Sequence, residues 1–327
     1  MQRSVLKRYA PDMLVSPKQV SKSCRTAIAI ATLLIAASAV ASPQLIEITH
    51  ERGVISVPHD PRTTLVFDPG ALDTLDSVDV DIQGVGQDHW TGALAKYSSS
   101  RYLNIGTLFE PDYETVFASD PSLIIVADRS AAKYSQLAKI APTLDFTVDP
   151  KNLIQEVESN ARKLGQIYDR EGAIESEISS LNRAIANLRQ IAEPQGKALV
   201  VLTSGGRLSA YGPGSRFGVI HDSFGFKAAA PDLKISLHGQ VISYEFISKV
   251  DPDWLFVIDR DAAIGAEGIA AKALLDNPLV RNTQAWKNNH VVYLDGSDWY
   301  LVGLTGLGAL QRSVASLTQQ VLSRSTN

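Results

Sequence analysis

The sequence predicts an α/β protein of two lobes joined by a long helix, with a cleft between the lobes. Three observations predict it. First, Tyr113–Arg129 and Tyr244–Arg260 share seven identities in seventeen positions, every pair 131 residues apart. The copies read Y-E-T-V-F-A-S-D-P-S-L-I-I-V-A-D-R and Y-E-F-I-S-K-V-D-P-D-W-L-F-V-I-D-R. Second, each copy holds a short apolar run, Leu123–Val126 or Leu255–Ile258, bounded by turn signals. Such runs suit strands buried on both faces of a parallel sheet. Third, residues 151–192 contain no Pro, and Val157, Ala161, Leu164, Tyr168, Ile174, Ile178, Leu181, Ile185 and Leu188 recur at threes and fours. That period is an amphipathic helix lying between the two copies.

Each copy reads as helix, turn, strand. Tyr-Glu opens the helix, and Asp-Pro ends it because Pro disfavours the α region at the residue before it. The Asp-Arg pair then falls at the carboxyl end of the strand, the edge where open α/β sheets place ligands. Arg129 and Arg260 therefore point into equivalent crevices, and lobes that face each other bring both guanidinium groups to one cleft. The plain alternative is a surface Arg beside an acid, and keeping Asp with Arg in both copies argues against it. Tyr113 and Tyr244 read as packing residues. Glu114 and Glu245 sit where an acid favours a helix dipole.

Length and composition bound the rest. A chain of 327 residues with 45% apolar and 20% charged residues suits a globular protein of two domains. A net charge of −4 argues against nucleic acid as a partner. Residues 1–25 carry Arg3, Lys7, Arg8, Lys18, Lys22 and Arg25, the apolar stretch Ala27–Ala37 follows, and Ser38-Ala39-Val40-Ala41-Ser42 ends it. That order is a secretory signal peptide over 1–41, cleaved after Ala41, with Met13 an alternative start. The apolar stretch is short for a membrane span, which needs about 20 residues. Cys24 is the only cysteine and precedes the apolar core, so it is not placed as a lipid-bearing cysteine. The mature chain has no thiol for disulfides or thiolate metal sites.

In order, the expected parts are an N-terminal lobe over 42–150, the joining helix over 151–192 and a C-terminal lobe over 193–327. Residues 45–58 alternate around Arg52-Gly53 as a hairpin. Thr63–Phe67 is a buried strand, and Asp68-Pro69-Gly70 turns into a helix through Leu75. Gly84–Trp90 is a Gly-rich loop, and Ala141–Val148 closes the first lobe. The joining segment is one helix, or two in line with breaks at Gly165 and Gly172; a coiled-coil dimer is the rival. Ala198–Thr203 is a strand that runs into a Gly/Pro loop from Gly205 to Gly218, with Arg216 near its end. That arginine caps a helix or pairs with Asp222 on the plainest reading. Val291–Leu294 is the last strand, Asp298-Trp299-Tyr300 follows, and 302–323 is a closing helix.

These residues resemble a known family. The stretches G-T-L-F-E-P-D-Y-E, S-R-F-G-V-I-H-D, H-G-Q-V-I-S-Y-E-F-I, F-V-I-D-R-D-A-A-I-G and N-P-L-V span both lobes in order. They resemble the enterochelin-uptake and petrobactin-binding branch of the class III substrate-binding proteins, which serve bacterial ABC importers. The resemblance covers roughly residues 45–325. It implies two Rossmann-like lobes on a rigid helix, and a monomer in the periplasm. Its cargo would be a ferric catecholate siderophore, with no permanent cofactor, delivered to an ABC permease and its ATPase. Arg129, Arg216 and Arg260 match the arginines that hold catecholate oxygens. His238 and Tyr300 match the residues that complete the iron shell when a siderophore supplies only four donors. Glu114 and Glu245 match the glutamates that dock to the permease. The sequence departs from the branch at Gln87-Asp88-His89-Trp90, where a Pro-Lys-like pattern is usual.

The chemistry suits these residue types. Ferric iron prefers six oxygen-type donors, and its catecholate complexes are anionic. A tris-catecholate fills the shell, whereas a linear bis-catecholate leaves two positions for a phenolate and an imidazole. Arg suits the charge better than Lys, because its flat fork spans two oxygens and stacks on rings. Clustered guanidinium groups repel, so an open, wet pocket is expected without cargo. His50, His59, His89, His221 and His290 show no paired metal spacing. The same fold carrying haem, cobalamin or a hydroxamate siderophore is the alternative. An enzyme is not expected, since the chain has no G-x-S-x-G, no H-E-x-x-H and no mature thiol.

Overall fold

The computed structural model describes residues 44–86 and 90–325. The expected signal peptide and Gln87–His89 lie outside the described residues. The chain opens with the hairpin β1 (Leu45–His50) and β2 (Gly53–Pro58), paired antiparallel around Glu51 and Arg52 as expected. The first sheet comprises β3 (Thr64–Val66), β4 (Gly84–Val85), β5 (Leu103–Asn104), β6 (Leu123–Val126) and β7 (Thr143–Asp145). It is parallel throughout, in the order β5-β4-β3-β6-β7. The second sheet comprises β8 (Lys197–Ser204), β9 (Arg207–Tyr211), β10 (Lys227–Ala228), β11 (Gln240–Ile242), β12 (Trp254–Asp259) and β13 (Val291–Leu294). Its order is β11-β9-β8-β12-β13, with β10 on β8.

The repeated strands hold equivalent places. β6 lies between β3 and β7, and β12 lies between β8 and β13, each parallel to both neighbours. Leu123–Val126 and Leu255–Ile258 are wholly buried, as strands covered on both faces must be. The helices that precede them, α1 (Pro69–Ser77) aside, are α2 (Tyr113–Ala118) in the first lobe and α7 (Tyr244–Val250) in the second. Asp112 and Ser243 cap them by accepting from the backbone N–H of Thr115 and Phe246. Asp120 and Asp251 end them in the left-handed region, at φ 48° and 45°, just before Pro121 and Pro252. Asp tolerates that region better than most residues, and Pro bars any return to helix. The duplication is thus one of backbone conformation as well as of sequence.

Short helices fill the connections: α3 (Tyr134–Leu137), α6 (Val219–Asp222), α8 (Arg260–Ala263), α9 (Ala271–Leu274), α10 (Pro278–Arg281) and α11 (Gln284–Lys287). The joining segment differs from the expectation of helices in line. α4 (Leu153–Tyr168) and α5 (Glu171–Ala192) form an antiparallel hairpin. Arg162 donates to Glu175 at 2.6 Å near the bend, and Asn182 donates to Glu158 at 2.8 Å far from it. The break is at Asp169, at φ 53°, rather than at either glycine. Gly165 permits the bend, because a Cβ there would lie 3.2 Å from the Glu171 Cα. α4 belongs to the first lobe: the Tyr168 hydroxyl is 2.7 Å from the Thr64 hydroxyl, and Asn160 donates to the Phe146 carbonyl. α5 alone carries the chain to β8. Its 22 residues span about 33 Å.

The closing helix α12 (Leu307–Ser325) runs along α5, with Gln311 on Glu177 and Ser325 on Gln195. Its amino end returns to the first lobe. The N–H groups of Leu307 and Ala309 donate to Thr74 and Asp73 of α1. A Cβ on Gly70 would lie 2.3 Å from the Thr305 hydroxyl oxygen, so only glycine allows this approach.

Asp68 caps α1 from a buried position, accepting from the N–H groups of Gly70 and Ala71. Burial pushes its pKa up to about 6, against those two hydrogen bonds. A carboxyl raised in the fold stabilises it fully below about pH 4, and that share is lost as pH rises through about 6. Asp68→Asn keeps one cap acceptor and removes the titration. Urea unfolding between about pH 4 and 7 is expected to show a flatter pH dependence, by up to about 3 kcal/mol. An unchanged slope would assign the dependence elsewhere.

Candidate functional site

The site forms where the carboxyl ends of both sheets meet the turn after β13. Residues Ser297–Val302 form a π-helical turn closed by Gly303 and Leu304, both left-handed at φ 74° and 62°. A buried leucine in that region is strained, and strain of this kind persists where the surroundings over-determine the backbone. The Leu304 N–H donates to the Asp298 carbonyl, and the Asp298 carboxylate is gripped by Arg312 of α12 at 2.6–3.1 Å. Arg312 also reaches Asp73 of α1 at 2.5 Å. The turn is thus fixed to both lobes.

This turn presents Tyr300 to three arginines. Arg129 follows β6, where Asp128 turns the chain at φ 43°. It donates to the Tyr300 carbonyl at 2.7 Å and the Leu301 carbonyl at 2.9 Å. Arg216 donates to the same Tyr300 carbonyl at 2.9 Å. Arg260 is the first residue of α8, whose amino end Asp259 caps, and its Nε donates to the Tyr300 hydroxyl at 2.8 Å. The three guanidinium carbons lie 5.6, 4.7 and 5.6 Å from the Tyr300 ring centre. Arg129 comes from the first lobe, and Arg216 and Arg260 from the second. The carboxyl ends of the duplicated strands therefore face one cleft.

The expectation of mutually repelling guanidinium groups in an open, wet pocket is refined by this geometry, since all three are held on Tyr300. Each cation–π contact contributes about 0.5–1 kcal/mol at exposed sites. Two carbonyls exposed by the turn accept from the guanidinium groups. The cluster is thus preorganised around Tyr300. Arg216 does not meet Asp222, which instead accepts from the Gly214 N–H; the Arg216 guanidinium reaches a carbonyl near the end of the π-helical turn.

Tyr300 divides the cleft into two compartments. One, of about 570 Å³, is lined by Arg216, Arg260 and His238 on the second lobe. The other, of about 290 Å³, brings Arg129 together with Trp90, Leu108, Phe109 and Ile264. Phe109 is 58% exposed there, a flat apolar wall facing the cationic floor. His238 is exposed on the rim of the first compartment, and its imidazole hydrogen-bonds nothing among the described residues. Gly239 seats that loop against Tyr211, since a Cβ there would lie 2.8 Å from the ring. Glu114 and Glu245 are away from this cluster, exposed in the first turns of α2 and α7. The Ser243 hydroxyl lowers the pKa of Glu245.

Residues 66–297 match the periplasmic binding protein family. The chain belongs to that family. This periplasmic binding protein is 41% identical to the petrobactin-binding protein YclQ of Bacillus subtilis over 268 residues, covering 81% of this chain and 82% of that one. It is 32% identical to the ferric-anguibactin-binding protein FatB of Vibrio anguillarum, covering 78% and 81%. Its fold superposes on the crystal structure of the catecholate-siderophore-binding protein VctP of Vibrio cholerae with a TM-score of 0.80 and 33% identity, covering 84% of this chain and all of that one. These relatives are binding proteins rather than enzymes. No helix among the described residues of this periplasmic binding protein is long and apolar enough to cross a membrane.

Sequence reasoning missed the apolar wall and one cation. Leu108 and Phe109 stand inside the quoted G-T-L-F-E-P-D-Y-E stretch, but only their chemistry, not their place, is visible in one dimension. Arg207 also lines the larger compartment. The signal for it was Gly205-Gly206, whose φ values of 54° and 74° build a tight hairpin and make β9 a strand where a loop was expected.

Proposed function

We propose that this protein captures a ferric catecholate siderophore in the exported compartment and delivers it to an ABC permease for iron uptake. The observation that carries the reading is the convergence of Arg129, Arg216 and Arg260 from both lobes on Tyr300. Three cations in one cleft suit a compact anion larger than phosphate, and the aromatic wall opposite suits catechol rings. The likeness to YclQ, FatB and VctP supports the same cargo class. Each charge-assisted hydrogen bond to a catecholate oxygen contributes about 1.5–3 kcal/mol. The basic and apolar amino-terminal segment supports export. Glu114 and Glu245, exposed at equivalent points of the repeat, are the docking contacts of this reading.

Trp90 lines the cleft and Trp299 adjoins Tyr300, so a bound iron chelate quenches their fluorescence. Quenching at about micromolar ferric bis-catecholate is expected, with haem, cobalamin and a ferric hydroxamate failing to compete. No quenching, or displacement by one of these three, defeats the catecholate assignment.

His238 and Tyr300 close the iron shell of a tetradentate chelate in this reading. Replacing them together, His238→Ala with Tyr300→Phe, is expected to weaken a tetradentate bis-catecholate at least about tenfold more than a hexadentate tris-catecholate, roughly 1.4 kcal/mol. Titrations of both chelates measure this. Equal losses remove direct coordination from the account.

A further inference from the structure

We infer that Arg207 heads a separate anion subsite on the β9 wall, which takes a third catecholate arm beyond the donors held over Tyr300. The inference rests on the siderophore reading above. In β9, Leu208 and Ala210 enter the core at 4% and 0% exposure. Alternation then turns Arg207 and Ser209 to the other face, and both line the larger compartment. The register sets Arg207 opposite Ser204 of β8, and Ser209 between Leu202 of β8 and Val241 of β11. Ser204 in turn accepts from Arg260 at 3.4 Å. The wall therefore runs without a break from the arginine cluster to Arg207.

Three features of this wall suit an anionic aromatic group. The Arg207 side chain is exposed and makes no hydrogen bond or ion pair among the described residues. Val241 and Leu237, on the same compartment, are 72% and 56% exposed. Large apolar side chains grouped beside an unpaired cation suit an aromatic ring that carries negative oxygens. A compartment of about 570 Å³ lies in the range of sites that enclose whole ligands. A tris-catecholate complex carries a triple negative charge, whereas a tetradentate bis-catecholate complex carries a single one. Only the former has an arm and charge to spare for Arg207.

The test is Arg207→Gln, titrated with the ferric complexes of a hexadentate tris-catecholate and a tetradentate bis-catecholate. Tris-catecholate affinity is expected to fall about tenfold and bis-catecholate affinity less than about twofold. The difference should persist at about 1 M NaCl, where the Debye length is about 3 Å and only contact pairs survive. Equal losses, no loss, or a difference abolished by salt overturns the subsite. Wild-type protein that binds the bis-catecholate but refuses the tris-catecholate overturns the subsite and spares the siderophore reading. Wild-type protein that binds neither overturns both.

Discussion

Replacing Arg312 by methionine is expected to destabilise the fold by about 3 kcal/mol at neutral pH, and by less in acid. Arg312 lies between Asp73 and Asp298, whose side chains are only 1% and 10% exposed. Removing one partner of a buried ion group costs about 3–5 kcal/mol, because it strands the other charges. The guanidinium itself is 39% exposed, which places the effect at the lower end. Burial already raises both carboxyl pKa values, despite Arg312. Without it they rise further, so the mutant fold keeps its stability below about pH 4, where unfolded carboxyls are also protonated, and loses it as pH increases. Urea denaturation at about pH 4.5 and 7.5 reads this directly. A deficit under about 1 kcal/mol, equal at both pH values, would make the group an ordinary surface pair. The same substitution should loosen the strained turn that presents Tyr300, since Asp298 fixes that turn to α12 and α1.

How far the sequence carried depended on whether a feature was local. The duplicated strands were legible because Asp-Pro and an apolar run are local signals, and both copies obey them. The Asp residues before Pro even adopt the same left-handed backbone. The hairpin at Arg52-Gly53 and the last strand were read for the same reason. The bend at Asp169 was not legible. The helical period continues through it, and nothing local distinguishes helices in line from helices folded back. What decides it is the Arg162–Glu175 and Glu158–Asn182 contacts, which exist only once the hairpin forms. β9 was lost because two glycines followed by Arg-Leu-Ser-Ala-Tyr resemble loop composition more than a strand.

The site divides in the same way. Arg129 and Arg260 followed from the repeat, and Arg216, His238 and Tyr300 from the resemblance to a family. The reason all three arginines meet at one place lies in Tyr300, through its carbonyl as much as its ring. A carbonyl's availability depends on a π-helical turn, and no residue type announces such a turn. Gly303 hints at it, but the left-handed Leu304 does not, since leucine favours helix. Phe109 and Ile264 join the wall from opposite lobes and had no reason to be paired in advance.

The double substitution Arg129→Gln with Arg216→Gln is expected to weaken ferric tris-catecholate binding about 10²- to 10³-fold while changing Tm little. Two charge-assisted hydrogen bonds are worth about 3–6 kcal/mol together, and the half-exposed cleft trims that sum. Glutamine is too short to keep the bonds that the guanidinium ends make to the Tyr300 and Leu301 carbonyls, so the turn loses those contacts and two cation–π contacts. What disappears is charge and the second edge of each fork. Like charges gathered on one ring work against the empty fold, and relieving them offsets the lost contacts, so the change in Tm should be small. Isothermal titration and thermal unfolding of the same preparation separate the two effects. Affinity and Tm falling together would mean that the arginines hold the lobes in place rather than the cargo. The salt dependence adds a second check: the wild-type affinity should fall more steeply with NaCl than that of the variant, because exposed charge is what salt screens. Parallel curves would show that the arginines contribute shape and not charge, and a cationic cleft would no longer explain the choice of cargo.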